Sequence, residues 1–146
     1  MICYLDTSAL IKLYIEEEGS ELVREKVRVA SFVATSKLAY AEARAFFTRC
    51  LREGVLDRDS YGKVVGYLNI DWNSFFLMEV TDTVIFKAGE LVEYYALRGF
   101  DAIHMASAVV LAQRLQEKSL SIGCWDKQLF RSLVAYGFSV FPGELC

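Results

Sequence analysis

The feature that most constrains this chain is a repeated order: a short apolar run, an acidic or polar residue, then a stretch with helical spacing. Residues 1–6 run apolar up to Asp6, and residues 31–35, 75–80, 120–125 and 138–141 repeat the plan. Runs of this length, rich in branched and aromatic side chains and bounded by turn residues, predict buried strands. Strands that alternate with helices predict right-handed crossovers, and so an α/β fold: one parallel β-sheet flanked by helices on both faces. In such a sheet any site is expected at the carboxyl ends of the strands. With 146 residues, 54% of them hydrophobic, nine Gly and one Pro, the chain suits a single domain spanning residues 1–146 and excludes disordered or collagen-like classes.

Between the strands, the spacing predicts helices over residues 7–14 and 21–29, separated by Glu16-Glu17-Glu18-Gly19-Ser20, read as a solvated acidic turn. A long Ala-rich helix is expected over residues 36–53, stopped by Gly54, and another from the caps at Asp57-Arg58-Asp59-Ser60 to about Asn73. Thr81-Asp82 should cap a helix through Arg98, interrupted by Gly99. Asp101 should open an apolar helix to about Lys118, and residues 127–136 a short last one.

Charge and cysteine usage narrow the class. The net charge is −3, so no basic surplus announces a nucleic-acid binder, although a local strip or a bound cation can still hold a phosphate backbone. Cys3, Cys50, Cys124 and Cys146 form no CxxC pair, which argues against zinc and for free thiols in a reducing compartment. The start lacks a basic region and cleavage site, and the best apolar run, residues 102–112, falls short of the roughly 20 residues a bilayer requires. The expectation is a soluble, cytoplasmic protein with no membrane association.

The acids carry the chemistry. Asp6 and Asp126 stand at predicted junctions between a strand's carboxyl end and a helix, so both belong to one edge of the sheet, and each also suits an N-cap. Asp82 and Asp101 sit at helix mouths and invite the same capping explanation. Glu42 differs, because its neighbours three and four residues away are Leu38, Ala39, Ala45 and Phe46, an apolar face. A carboxylate there is costly unless paired, hydrogen-bonded or bound to a cation; Arg49, two turns on, is one candidate partner and a cross-helix group is the other. If Asp6, Glu42, Asp101 and Asp126 converge, two carboxylates about 4 Å apart repel by roughly 4 kcal/mol at an effective dielectric near 20, so four require a cation.

An all-oxygen set suits Mg²⁺ or Mn²⁺, which activates a water and shields the departing oxygen of a phosphodiester. Thr7 and Ser8 offer supporting hydroxyls or first-turn caps. His104, the only histidine, reads as mainly structural. Lys37, Arg44 and Arg52 share a polar side of the 36–53 helix, either a solvated face or an RNA backbone track.

Four stretches carry a family resemblance: Leu5-Asp6-Thr7-Ser8-Ala9-Leu10-Ile11-Lys12-Leu13-Tyr14 with Glu17-Glu18-Gly19-Ser20-Glu21; Ala39-Tyr40-Ala41-Glu42-Ala43-Arg44; Leu97-Arg98-Gly99-Phe100-Asp101-Ala102-Ile103-His104-Met105-Ala106-Ser107-Ala108; and Trp125-Asp126-Lys127. In order and spacing the chain resembles the PIN domain, specifically the VapC-type ribonuclease toxins, over nearly its whole length. The resemblance implies a Mg²⁺-dependent endoribonuclease for single-stranded RNA, with Asp6, Glu42, Asp101 and Asp126 as metal-binding acids and Ser8 as a supporting hydroxyl. It also implies a bacterial or archaeal toxin, a homodimer silenced by a cognate antitoxin protein. The chain departs from the family pattern at Cys124, where a Ser or Thr is common; a thiol is the poorer hydrogen-bonding group.

Rival readings are a housekeeping nuclease on the same fold, a phosphoryl-accepting receiver module and an inactive interaction domain. A haloacid-dehalogenase-like phosphatase would want an Asp where this chain has Ser8, and Glu42 has no evident job in a receiver.

Overall fold

The computed structural model describes residues 1–115 and 119–145. Five strands, β1 (Ile2–Leu5), β2 (Phe32–Ser36), β3 (Phe76–Met78), β4 (Leu120–Gly123) and β5 (Ser139–Phe141), form one parallel sheet in the order β3-β2-β1-β4-β5. All four residues of the central β1 are buried, as expected of a strand covered on both faces.

Helices supply the cover. From β1 to β2 the chain passes through α1 (Thr7–Leu10), a 3-10 turn (Ile11–Leu13) and α2 (Ser20–Val29); α3 (Leu38–Arg52) and α4 (Arg58–Trp72) connect β2 to β3. Their apolar side chains, among them Leu10, Val23, Phe47 and Leu68, pack with Cys3 and Leu5 on one face. After β3 the chain returns to lay β4 beside β1, through α5 (Asp82–Leu91) and α6 (Gly99–Leu115), and α7 (Lys127–Tyr136) leads to β5. With the direction reversed, these helices cover the other face, where Val84, Met105 and Leu129 meet Tyr4, Ala34 and Ile122. The reversal opens a crevice between β1 and β4 at the carboxyl edge, the usual place for a site in an open parallel sheet.

The expected single-domain α/β architecture with helices on both faces is the one observed, with differences at element ends. The first helix tightens into a 3-10 turn at Ile11, and Ser36 belongs to β2. The helix expected through Arg98 stops at Leu91, because Tyr95 and Leu97 turn back and half-bury against the core. Gly99 begins α6 instead of interrupting a helix, so Asp101 lies inside its first turn. The expected end of that helix, near Lys118, lies outside the described residues, as does Cys146. Cys3, Cys50 and Cys124 are free and buried. No helix among the described residues is long and apolar enough to cross a membrane.

The acidic turn is more tightly held than a solvated loop. Lys12, only 7% exposed, donates to Glu17 at 2.9 Å and to the Glu18 carbonyl at 2.8 Å. Its ammonium lies 4.9 Å from the centre of the Trp125 ring. Gly19, at φ 93°, passes directly under that ring; a Cβ there would fall 2.6 Å from it. This packing braces Trp125, the residue before Asp126.

Gly123 is equally confined, since a Cβ would lie 2.6 Å from the Phe141 ring and 3.0 Å from a Leu5 methyl. Gly123→Ala should therefore lower stability by about 1–3 kcal/mol through overpacking. Gly62→Ala, in α4 with open space around it, should raise stability by about 0.5–1 kcal/mol. Urea unfolding of the two variants checks the contrast, and effects of the same sign would contradict it.

Candidate active site

Asp6 follows β1 directly and caps α1, its Oδ1 accepting from the Ala9 amide at 2.9 Å and the Ser8 hydroxyl at 2.7 Å. Asp126 does the same after β4, its Oδ1 accepting from the Leu129 amide at 2.9 Å as the cap of α7. Both capping readings hold, and they coexist with a shared location. The two strand exits are tied together: the Asp6 amide donates to the Gly123 carbonyl at 3.2 Å, and the Trp125 amide donates to Ser8 Oγ at 2.8 Å. Ser8 thus fixes the Asp6 carboxylate and the loop that carries Asp126 at once.

Glu42 comes from α3 and Asp101 from the first turn of α6. Asp6, Glu42, Asp101 and Asp126 line one cleft of about 640 Å³, with Thr7, Ser8 and His104 on the same wall. Phe46, Arg49, Arg52 and Phe100 continue it outward. The four acids singled out in the sequence therefore converge. Asp82 does not join them; Thr81 accepts from the Val84 amide as the cap of α5, with Asp82 in the first turn.

The electrostatics follow from crowding and burial. Burial pushes the Asp101 carboxyl up to about 6, with Asp126, then Asp6 and Glu42, adding to the rise against the opposing His104. Burial likewise raises the Asp6 carboxyl, although His104, Ser8 and the Ala9 amide pull the other way. Burial works to raise Glu42 too, but there the hydrogen bonds from His104 and Thr7 win and hold it below the ordinary glutamate range. The Cys124 thiol is pushed well up by burial and by the neighbouring Asp6 charge, and its Sγ lies 3.5 Å from the Asp126 carbonyl as a weak donor.

Of the two kinds of partner open to Glu42, Arg49 and a cross-helix group, the structure shows the second. Arg49 does not reach Glu42; its guanidinium lies over the Phe46 ring at 5.1 Å, and its nearest acid is Glu53 at 3.9 Å. Instead Glu42 Oε1 accepts from the Thr7 hydroxyl and lies 3.0 Å from His104 Nε2. That nitrogen is also 3.0 Å from Thr7 Oγ1, while Nδ1 meets the Tyr4 hydroxyl at 2.9 Å. His104, only 3% exposed, is therefore part of the wall of the site. Its place three residues after Asp101, on the same helix face, was the available signal.

One oxygen of Glu42 and one of Asp126 are committed to protein donors. The other oxygen of each, and both of Asp101, take none among the described residues. Such oxygens suit a hard cation. Among the described residues, however, no three His, Cys, Asp or Glu side chains stand together as a ready-made ligand set.

A family model described as the PIN domain matches residues 3–118. Ribonuclease VapC45 and Ribonuclease VapC49 of Mycobacterium tuberculosis are each 32% identical to this chain over 148 residues, covering 99% of it and 97% of their own length. A toxin-antitoxin complex from Klebsiella pneumoniae contains a chain with the same fold, at TM-score 0.66 and 15% identity over 99% of both chains.

Because Asp101 holds its proton more tightly in the folded chain than its unfolded value of 3.8 allows, its ionisation destabilises the fold. In chelator, the stability of the native chain relative to Asp101→Asn should be fully kept below about pH 4 and should fall as pH rises through about 6. Thermal melts of both across that range check it; parallel curves would contradict it.

Proposed function

The chain belongs to the PIN domain family, and from that premise we propose that it is a Mg²⁺-dependent endoribonuclease that cleaves single-stranded RNA, the toxin of a toxin-antitoxin pair. The observation that carries this reading is the convergence of Asp6, Glu42, Asp101 and Asp126, from four separate segments, on one cleft at the carboxyl edge of the sheet. The ribonuclease names of relatives that match over nearly their whole length support the activity.

Asp6, Glu42, Asp101 and Asp126 would hold Mg²⁺, or Mn²⁺ in its place, because a charge of this density with uncommitted carboxylate oxygens suits a hard cation. When bound, the cation supplies Lewis acidity that activates a water and shields the departing oxygen of the phosphodiester. The chain's own residues do the positioning. Ser8 holds the Asp6 carboxylate and anchors the Trp125 amide, keeping the β1 and β4 exits in register. Thr7 and His104 hold Oε1 of Glu42, which leaves Oε2 for the cleft. Asp101, with its proton held to about 6, ionises only near neutrality unless a cation compensates it.

The partners follow the same reading: an RNA substrate, a cognate antitoxin protein and a second copy of the chain in a cytoplasmic homodimer. The toxin-antitoxin assembly of the Klebsiella pneumoniae neighbour supports the antitoxin. Phe86 and Tyr94, 70% and 81% exposed on and just beyond α5, provide apolar surface of the kind protein partners cover.

Asn caps a helix about as well as Asp but is a poor ligand for a hard cation. Asp6→Asn and Asp101→Asn should therefore reduce Mg²⁺-dependent cleavage of a mixed RNA panel to background while the far-UV spectrum stays native. Undiminished cleavage by either variant would reject the assignment. Mg²⁺ at about 100 times its dissociation constant should stabilise the native chain by about 2.7 kcal/mol, and this gain should shrink in both variants. Calorimetric melts with and without the ion measure it.

A further inference from the structure

Building on the hydrolytic reading above, we propose that Phe100, Arg49 and Arg52 form a single-strand track leading out of the acidic cleft. In it the Phe100 ring stacks on a base beside the scissile phosphate, and the two arginines hold phosphates further along the strand.

Phe100 directly precedes Asp101 in the first turn of α6, lines the cleft, and leaves 63% of its surface to solvent. A large ring kept in water beside a polar site contributes little to the core, yet its face suits a nucleobase, and stacking of this kind is indifferent to base identity. Facing it is one stripe of α3. Glu42, Phe46 and Arg49 are spaced by four and three residues, which places them on the same side, and Arg52 lies three further on. From Glu42 to Arg52 the helix rises about 15 Å, room for several phosphates of a single strand.

The cationic heads on this stripe are available. Arg49 rests on the Phe46 ring at 5.1 Å, and the acid it pairs with among the described residues, Glu53 at 3.9 Å, is as exposed as itself, so that pair is weak. Arg52 makes no ion pair among the described residues. Lys37 and Arg44, the other basic residues of this region, do not line the cleft. Lys37 meets Glu79 at 2.6 Å, while Arg44 donates to the Tyr40 and Tyr61 hydroxyls at 3.0 and 3.5 Å. Of the polar side that the sequence suggested as a backbone track, Arg52 lines the cleft, and Arg49 joins it there. A ring followed by two cations matches the base and phosphates of a nucleic-acid strand better than a peptide, whose backbone carries no charge for the arginines to meet.

The test uses single-stranded RNA carrying 2-aminopurine, whose fluorescence is quenched by stacking, titrated onto the Asp6→Asn chain so that binding is read without cleavage. Adding Phe100→Leu should abolish the quenching and weaken binding about 5- to 150-fold. Phe100→Tyr should preserve both, and because position 100 is exposed, melting temperatures should not move. Arg49→Gln and Arg52→Gln should each lower the slope of log affinity against log salt by about 0.7. Unchanged quenching and affinity with Phe100→Leu, or unchanged slopes in both arginine variants, overturns the proposal and leaves the patch to a protein ligand. Cleavage by the native chain, assayed separately, keeps the two readings apart. If it cleaves but Phe100 does not stack, only the track fails; if Phe100 stacks but nothing is cleaved, only the hydrolytic reading fails.

Discussion

Like charge gathered at one edge of a parallel sheet is the constraint to which the rest of this structure answers. Carboxylates that share a cleft make one another costlier to ionise, and four line this one. The fold meets that repulsion by distributing the acids over separate anchors. Asp6 and Asp126 each put one oxygen into a helix N-terminus, where the backbone dipole favours negative charge, and Asp101 lies in the first turn of α6. The Asp101 carboxylate takes no hydrogen bond among the described residues, and burial, with the neighbouring Asp126 charge adding to it, raises its carboxyl to about 6.

Glu42 has no helix N-terminus to lean on, and its support comes from across the sheet. The Thr7 hydroxyl has one hydrogen, given to Glu42, so its oxygen remains to accept from His104 Nε2. The other ring nitrogen, Nδ1, meets the Tyr4 hydroxyl at 2.9 Å. Tyr4 belongs to the central strand and is fully buried, so this chain of contacts joins the half-buried Glu42 carboxylate to the core. Positional accuracy at the site is thereby inherited from core packing.

These relations explain what the amino-acid pattern disclosed and what it withheld. Asp6 and Asp126 were legible because strand, acid and helix follow one another locally, and Glu42 because a carboxylate on an apolar helix face demands a reason. The partner of Glu42 was not legible: His104 lies 62 residues away, and its own contacts to Thr7 and Tyr4 span 97 and 100 residues. Arg49, seven residues on, was the local candidate, yet two turns place it about 10 Å along the axis, where Phe46 and Glu53 are nearer. The end of α5 escaped for a related reason. Helical spacing continues past Leu91, but burial of Tyr95 and Leu97 against the core outweighs it. Local pattern set the elements; contacts distant in sequence set their ends and the second layer of the site.

The same separation along α3 shows why a net charge of −3 does not describe the cleft. Glu42 and Arg52 sit at opposite ends of one helical stripe, about 15 Å apart, which exceeds the screening length of about 8 Å at physiological salt. A phosphate at the arginines is therefore largely shielded from the acids, whereas a phosphate at the acids meets them unshielded and needs a cation between. Overall charge averages these two environments and so describes neither. On the proposed reading, the acidic end would suit hard cations and the basic end the phosphates of a strand extending past the reacting bond, so an elongated polymer, rather than a lone nucleotide, would use the whole cleft.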